Sequence, residues 1–199
     1  MFSFRKEPFL WLHLAGIGLY PLACSVVWLA LAIATPYRFY GLELLVLALV
    51  GIGPILWMQW QRPFEIFSLL IVSIRPDSLT LPQRRILALF KRPRQRWLAL
   101  VGALLMGLKL AALYYFAPLA SMAVIDLPQI RLLGLTVAAV AFLVANLFLQ
   151  VPLSVLGVLL TSVSEFEQQT AIEPEAIRQL FTVPGFPLTR IALIPSVEV

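Results

Sequence analysis

The sequence predicts an all-α, polytopic membrane protein with four transmembrane helices. Apolar residues make up 61% of the 199 positions, and the mean hydropathy is +0.92. This apolar content is concentrated in four long stretches, and about 20 residues of helix are needed to cross a bilayer core of about 30 Å. A segment in lipid must pair its own backbone polar groups, so a helix is expected for each stretch.

The four apolar stretches cover residues 9–34, 42–60, 97–117 and 131–150. The first is longer than one crossing requires, so we expect it to tilt or to bend at Pro21. It is also too long to be the apolar core of a signal peptide. The sequence 51–54 contains two glycines and a proline, which favours a kink or a break in the second helix.

The basic residues predict the orientation of the four helices. Eight of the 15 Lys and Arg residues lie in the second connection, 61–96, whereas the first and third connections each contribute one, Arg38 and Arg131. Lys and Arg are enriched in cytoplasmic loops. We therefore expect a multi-pass protein with both termini and the 61–96 loop in the cytoplasm.

The basic loop is predicted to contact lipid headgroups or protein partners. The net charge is +5, and a basic residue close to an anionic membrane contributes about 1 kcal/mol of attraction. Basic residues beside a membrane span are the usual topology signal, so nucleic acid is not expected as a partner. The predicted basic docking or lipid surface consists of Arg84, Arg85, Lys91, Arg92, Arg94 and Arg96.

The chain also shows signs of a tandem repeat. Gln61-x-Pro63 and Gln150-x-Pro152 each follow an apolar stretch, and residues 79–93 resemble residues 170–184 at a constant offset. Two units of this kind would enter the membrane from the same side and form parallel repeats. The alternative is convergence of two unrelated segments on a common pattern.

The repeat predicts three regions. The first hairpin and its basic helices occupy residues 1–95, the second hairpin and its cytoplasmic helix occupy 96–184, and a Pro-containing tail occupies 185–199. Residues 64–74 are too few to cross the membrane and predict an interfacial or shallow re-entrant helix. Thr80 is the expected N-cap of an amphipathic helix whose counterpart lies at 173–181.

Four polar residues at membrane depth are candidates for function, because ionisable groups in a span are costly. Lys109 could serve an ion or proton site or an acidic partner, but snorkelling or a pair with Glu43 is favoured. His13 could bind the metal of a chlorophyll or haem, but a packing role with Asn146 as its hydrogen-bond partner is favoured.

No pattern of an enzyme is present in the sequence. It has no Cys/His cluster with metal-ligand spacing, no phosphate-binding glycine loop and no Ser/His/carboxylate arrangement. The single cysteine, Cys24, lies in an apolar stretch and is expected to be a buried thiol. We therefore expect a non-enzymatic protein without a metal or an obligatory cofactor, with chlorophyll or carotenoid left open as ligands.

Three blocks of sequence resemble a known family. FRKEPFLWLHLAG (4–16), ILWMQWQRPFEIF (55–67) and LTLPQRRILALFKRP (79–93) are similar to blocks of the cyanobacterial low-complexity tail membrane proteins. The resemblance implies a role in a photosynthetic membrane, the thylakoid or plasma membrane, and carries over no activity and no cofactor. With it, the sequence favours an accessory or assembly factor for larger membrane complexes, such as photosystem subunits. The alternative is a small oligomeric transporter or channel.

Overall fold

The computed structural model describes residues 4–69 and 71–189, and this part of the chain is mainly helical. Within it, four helices are long and apolar enough to cross a membrane, at Pro8–Leu31, Tyr40–Gln61, Pro93–Val124 and Arg131–Leu159. The predicted class is therefore confirmed. Large apolar side chains are exposed along all four, as a lipid-facing surface requires; examples are Leu22, Leu49, Leu108 and Leu132, which are 62–66% exposed.

Two of the spans are interrupted by tighter helical turns. The first consists of α1 (Pro8–Ala15) and α2 (Leu19–Leu31), joined by a 3-10 turn at Gly16–Gly18. Pro21 lies in the first turn of α2, where its missing N–H removes no helical hydrogen bond. The third span consists of α5 (Pro93–Phe116) and a 3-10 segment, Ala117–Val124.

The second and fourth spans continue through their prolines. Helix α3 (Tyr40–Gln61) contains Pro54, so the sequence 51–54 does not break it, and α6 (Arg131–Leu159) contains Pro152. The helix ends before Pro63 but not before Pro152, so the two Gln-x-Pro sites differ in local structure. The tandem duplication stays a prediction, as does the division at residues 95 and 184, and residues 190–199 of the expected tail lie outside the described residues.

The predicted interfacial helix at 64–74 is wrong. The structure has two short strands there, β1 (Ser68–Leu69) and β2 (Val72–Ile74), and they pair antiparallel. Strand β3 (Phe186–Leu188) pairs parallel with β2. Gly185 precedes β3 with φ +84°, and a Cβ there would lie 2.2 Å from the Ile71 carbonyl carbon, so this turn requires glycine. Strand β3, the parallel partner of β2, comes from far along the chain, so the local sequence cannot indicate this pairing.

The amphipathic helix after Thr80 is confirmed. Helix α4 (Leu81–Phe90) begins with a capping box in which Thr80 and Gln83 bond each other's backbone N–H groups. A short helix α7 (Val163–Glu167) has its own capping box from Ser162. Helix α8 (Pro174–Leu180) lies within the predicted range 173–181.

The chain divides into two compact units. Unit 1 contains Met1–Ala15, Trp57–Ala99 and Val151–Val199, as far as these residues are described, and unit 2 contains Gly16–Leu56 and Leu100–Gln150. The core of unit 1 is built from buried apolar residues of the N-terminal segment, the basic loop and the C-terminal segment. Within it, the Phe4 and Phe166 rings stack at 4.7 Å.

Unit 2 is a helical unit with a close-packed apolar core. Its buried side chains include Val27, Leu47, Met106, Leu110 and Phe142. Small residues allow its backbones to approach closely, as is usual for helices in membranes. At Gly134, a Cβ would lie 2.6 Å from the Ala30 carbonyl oxygen and 3.0 Å from the Ile33 Cβ.

Replacing Gly134 by Ala is expected to destabilise unit 2 by about 1–3 kcal/mol, because overpacking forces the backbone to move. Gly53→Ala is the matched control, since a Cβ at Gly53 meets no atom within 4 Å. Thermal unfolding in detergent should show a lower midpoint for Gly134→Ala and an unchanged or higher one for Gly53→Ala. Equal midpoints for the two variants would contradict the close approach at Gly134.

Candidate functional site

A buried ion pair is the main polar feature of unit 2. Glu43, in the first turn of α3, and Arg131, the first residue of α6, are 5% and 6% exposed. The Arg131 Nε donates to Glu43 Oε1 at 3.2 Å, and Nη2 donates to Glu43 Oε2. This two-point geometry is the strong arrangement of an arginine with a carboxylate.

The other polar atoms of this pair are also bonded. Arg131 Nη1 donates to the carbonyl oxygens of Leu31 at 2.7 Å and Ile33 at 3.1 Å. The Glu43 carboxylate accepts from the Tyr114 hydroxyl at 2.6 Å and from the Tyr37 backbone N–H at 2.7 Å. We call Glu43, Arg131 and Tyr114 the Glu43 cluster. It links α3, α5 and α6 and bonds the end of α2.

The structure corrects the predicted partner of Glu43. The ion pair is made by Arg131, the single cation of the third connection. Lys109 is exposed on α5, and no carboxylate of the described residues lies within 4 Å of its ammonium group. The signal for the correct pair was weak, because one acidic and one basic residue, 88 positions apart, begin two different spans.

Two apolar cavities adjoin residues of the Glu43 cluster. One has a volume of about 670 Å³ and includes Tyr114 and Arg131 in its wall, and the other, of about 760 Å³, includes Glu43 and Thr136. The remaining walls are mostly apolar side chains. Because the polar atoms of the cluster are occupied by one another, these cavities suit hydrocarbon chains better than ions.

Asn146 has a structural role in unit 2. Its Nδ2 donates to the Gly51 carbonyl at 2.9 Å, and its Oδ1 accepts from Gln150 Nε2 at 3.1 Å. Asn146 is fully buried, so this bond between helices satisfies a polar group that lipid could not. The hydrogen bond between Asn146 and His13, which lie in different units, stays a prediction.

His13 bonds its own helix in unit 1. Its Nδ1 lies 2.8 Å from the Phe9 carbonyl oxygen, and its ring lies 5.6 Å from the Phe64 ring. When Nδ1 carries the proton, it donates to Phe9 and leaves Nε2 as the nitrogen that can bind a metal. The pigment-ligand role of His13 stays a prediction.

Half of the predicted basic surface binds the protein itself. Arg84 donates to the Ile172 carbonyl at 3.3 Å, and Arg92 pairs with Glu165 at 3.1 Å. Lys91 donates to the Leu180 carbonyl at 3.4 Å. These bonds attach the C-terminal segment to the basic loop within unit 1. Of the six predicted residues, Arg94 and Arg96 are exposed, and Arg84, Arg85, Lys91 and Arg92 are partly buried.

Two buried carboxylic acids in unit 1 were not singled out from the sequence. Glu65 is 1% exposed and accepts from the Ser68 hydroxyl at 2.5 Å and the Phe67 N–H at 2.8 Å. Burial raises the pKa of Glu65 to about 7, against the lowering effect of these two bonds. Burial also raises the pKa of Glu7, which accepts from Gln83 at 3.4 Å. The available signal was the position of Glu65 between apolar residues.

The described ranges contain no group of three or more His, Cys, Asp or Glu side chains that could hold a metal ion.

A family model described as low-complexity tail membrane protein-like matches residues 6–193, nearly the whole chain. Neither the curated proteins nor the solved structures contain a match to the chain.

Proposed function

Since the chain belongs to the low-complexity tail membrane protein-like family, we propose that this multi-pass membrane protein is a non-catalytic accessory or assembly factor for larger membrane complexes. The family resemblance directs the proposal to photosynthetic complexes in a cyanobacterial thylakoid or plasma membrane. No resident cofactor is required for this role, and chlorophyll or carotenoid at His13 would be an addition to it.

The observation that carries this proposal is that polar side chains within the spans are hydrogen-bonded inside the protein. Glu43, Arg131 and Asn146 are buried, and their side chains bond one another or nearby backbone. A transport path needs polar groups that are free to exchange partners with an ion or substrate. These spans are built instead to hold a fixed arrangement while their apolar outer surfaces contact lipid or protein.

Lys109 supplies the point at which a partner would be recognised. It is exposed in the interior of α5, and a lysine at the centre of a bilayer costs about 2.5–3.5 kcal/mol. A carboxylate or carbonyl group on a partner helix would offset this cost. The neighbouring Leu105 and Leu108 are 51% and 63% exposed and provide apolar surface beside it.

Affinity purification of the full chain from its native membrane tests this role. We expect a stable set of membrane-complex subunits to co-purify. A polar contact between helices in a membrane contributes about 1 kcal/mol. Lys109→Met should therefore lower the partner yield about fivefold, without changing ion flux in reconstituted vesicles.

Lys6→Met is the matched control, because Lys6 is also exposed but lies outside the spans, and it should leave the yield unchanged. A homo-oligomer without partners, together with a flux that Lys109→Met abolishes, would replace the accessory role with the transporter alternative.

A further inference from the structure

Basic side chains line a small polar cleft in unit 1, at the start of the third span. It is lined by Gln59, Trp60, Lys91, Arg92 and Arg96, among others. Its volume is about 10 Å³, roughly the space of one oxygen-sized atom. Three of these five residues are cations. Among the described residues, one carboxylate, that of Glu165, lies within 4 Å of these cations, and it pairs with Arg92.

The position of these cations on the helix is electrostatically unfavourable without an anion. Helix α5 is 24 residues long, and its first turn contains no acidic residue. The N-terminus of a helix carries a partial positive charge, which favours anions and disfavours cations. Here Lys91 and Arg92 precede the helix, and Arg94 and Arg96 lie in its first turn.

The lowered pKa of Lys91 reflects in part the same excess of positive charge. Its pKa is lowered by burial first, and then by the nearby charges of Arg96 and Arg62. Its ammonium group donates to the Gln61 and Leu180 carbonyl oxygens, which are neutral acceptors and do not balance the charge.

A second observation independently indicates a ligand. Gln59 is 5% exposed, and its Nε2 is buried without a hydrogen-bond partner among the described residues. A buried amide donor that lacks a partner destabilises the folded state, so most such groups in proteins are satisfied. Gln59 lines the cleft, where an acceptor oxygen would complete its hydrogen bonding.

We propose that this cleft binds a phosphoryl group, with one of its oxygens at Gln59 and the remaining charge facing Lys91 and Arg96. A helix N-terminus with basic side chains is a common phosphate site. Trp60, at the end of α3, has Arg96 over its ring at 5.6 Å. Tryptophan favours the membrane–water interface, which places the cleft at headgroup depth. The phosphoryl group could belong to an anionic lipid or to free phosphate.

Binding to the purified full chain in nonionic detergent tests the site. The probes are dioctanoyl phosphatidylglycerol and inorganic phosphate, with dioctanoylglycerol as the control that lacks a phosphate. We expect saturable thermal stabilisation by a phosphate-containing probe and none by dioctanoylglycerol. Because Arg96→Gln removes a charged donor that faces the phosphoryl group, it should weaken the apparent affinity about tenfold.

Arg94→Gln is the matched control, because Arg94 is exposed in the same helical turn and does not line the cleft. It should weaken binding less than about twofold, as expected for an exposed charge that makes no direct contact with the ligand. Gln59→Leu should weaken binding about as much as Arg96→Gln without lowering the midpoint of the ligand-free protein.

The two sources of the phosphoryl group give different results. Much tighter binding of phosphatidylglycerol than of inorganic phosphate identifies a lipid headgroup, whereas equal affinities identify free phosphate. Equal weakening by Arg94→Gln and Arg96→Gln, or no saturable effect of either phosphate probe, would overturn the proposal.

Discussion

Replacing Arg131 by Met is expected to destabilise the protein by about 3–5 kcal/mol, because it leaves the Glu43 carboxylate buried without its cation. The carbonyl oxygens of Leu31 and Ile33 would also lose their donor. The measurement is thermal or denaturant unfolding in detergent micelles. A large decrease in stability is expected even though Arg131 lies at the very start of its span.

A double substitution distinguishes the contribution of the ion pair to stability from the contribution of packing. Glu43→Gln combined with Arg131→Met removes both charges, and it should cost clearly less than the sum of the two single changes. Lys109→Met is the control for loss of a charge in a span, since Lys109 is exposed, and it should shift the midpoint little. Additive costs in the double variant would contradict a coupled Glu43 cluster.

The stability of unit 1 is expected to fall by about 3 kcal/mol as the pH rises from about 4.5 to about 7, because the unfolded chain then releases the Glu65 proton while the folded state retains it. The folded state holds the proton up to about pH 7, whereas the unfolded chain releases it near 4.5. In this interval the folded state binds more protons, so its stability decreases with pH. Glu7, whose pKa is also raised, acts in the same direction.

Unfolding midpoints measured from pH 4 to pH 8 test this linkage. Glu65→Gln should flatten most of the dependence and should be more stable than the parent protein at pH 8. Glu167→Gln, which changes an exposed glutamate of the same unit, should leave the dependence unchanged. A parent protein whose stability rises across this interval would show that Glu65 is ionised in the folded state.

The sequence determined the elements whose causes are local. Four apolar stretches of sufficient length specify four helices, since nothing else satisfies the backbone in lipid. Thr80 and Gln83 specify the start of α4, because a capping box acts over three residues. The family was also recognisable, since its similarity lies in the order of residues along the chain.

Tertiary structure decided the features that depend on distant residues. Arg131, not Lys109, became the partner of Glu43, because side-chain depth and helix rotation are set by packing and not by hydropathy. Residues 72–74 became a strand, because Phe186–Leu188 supplies hydrogen-bond partners on the side of β2 opposite to β1. Lys91 and Arg92 bond Leu180 and Glu165, because the distant C-terminal segment supplies these acceptors.

Charge and hydropathy along a chain therefore determine which segments enter a membrane and favour one orientation for them. They do not determine which polar groups meet, because that depends on the relative positions of segments separated by many residues. Glu65 illustrates this limit: its neighbours in sequence are apolar, but only the packed core of unit 1 excludes water from its carboxyl group and raises its pKa.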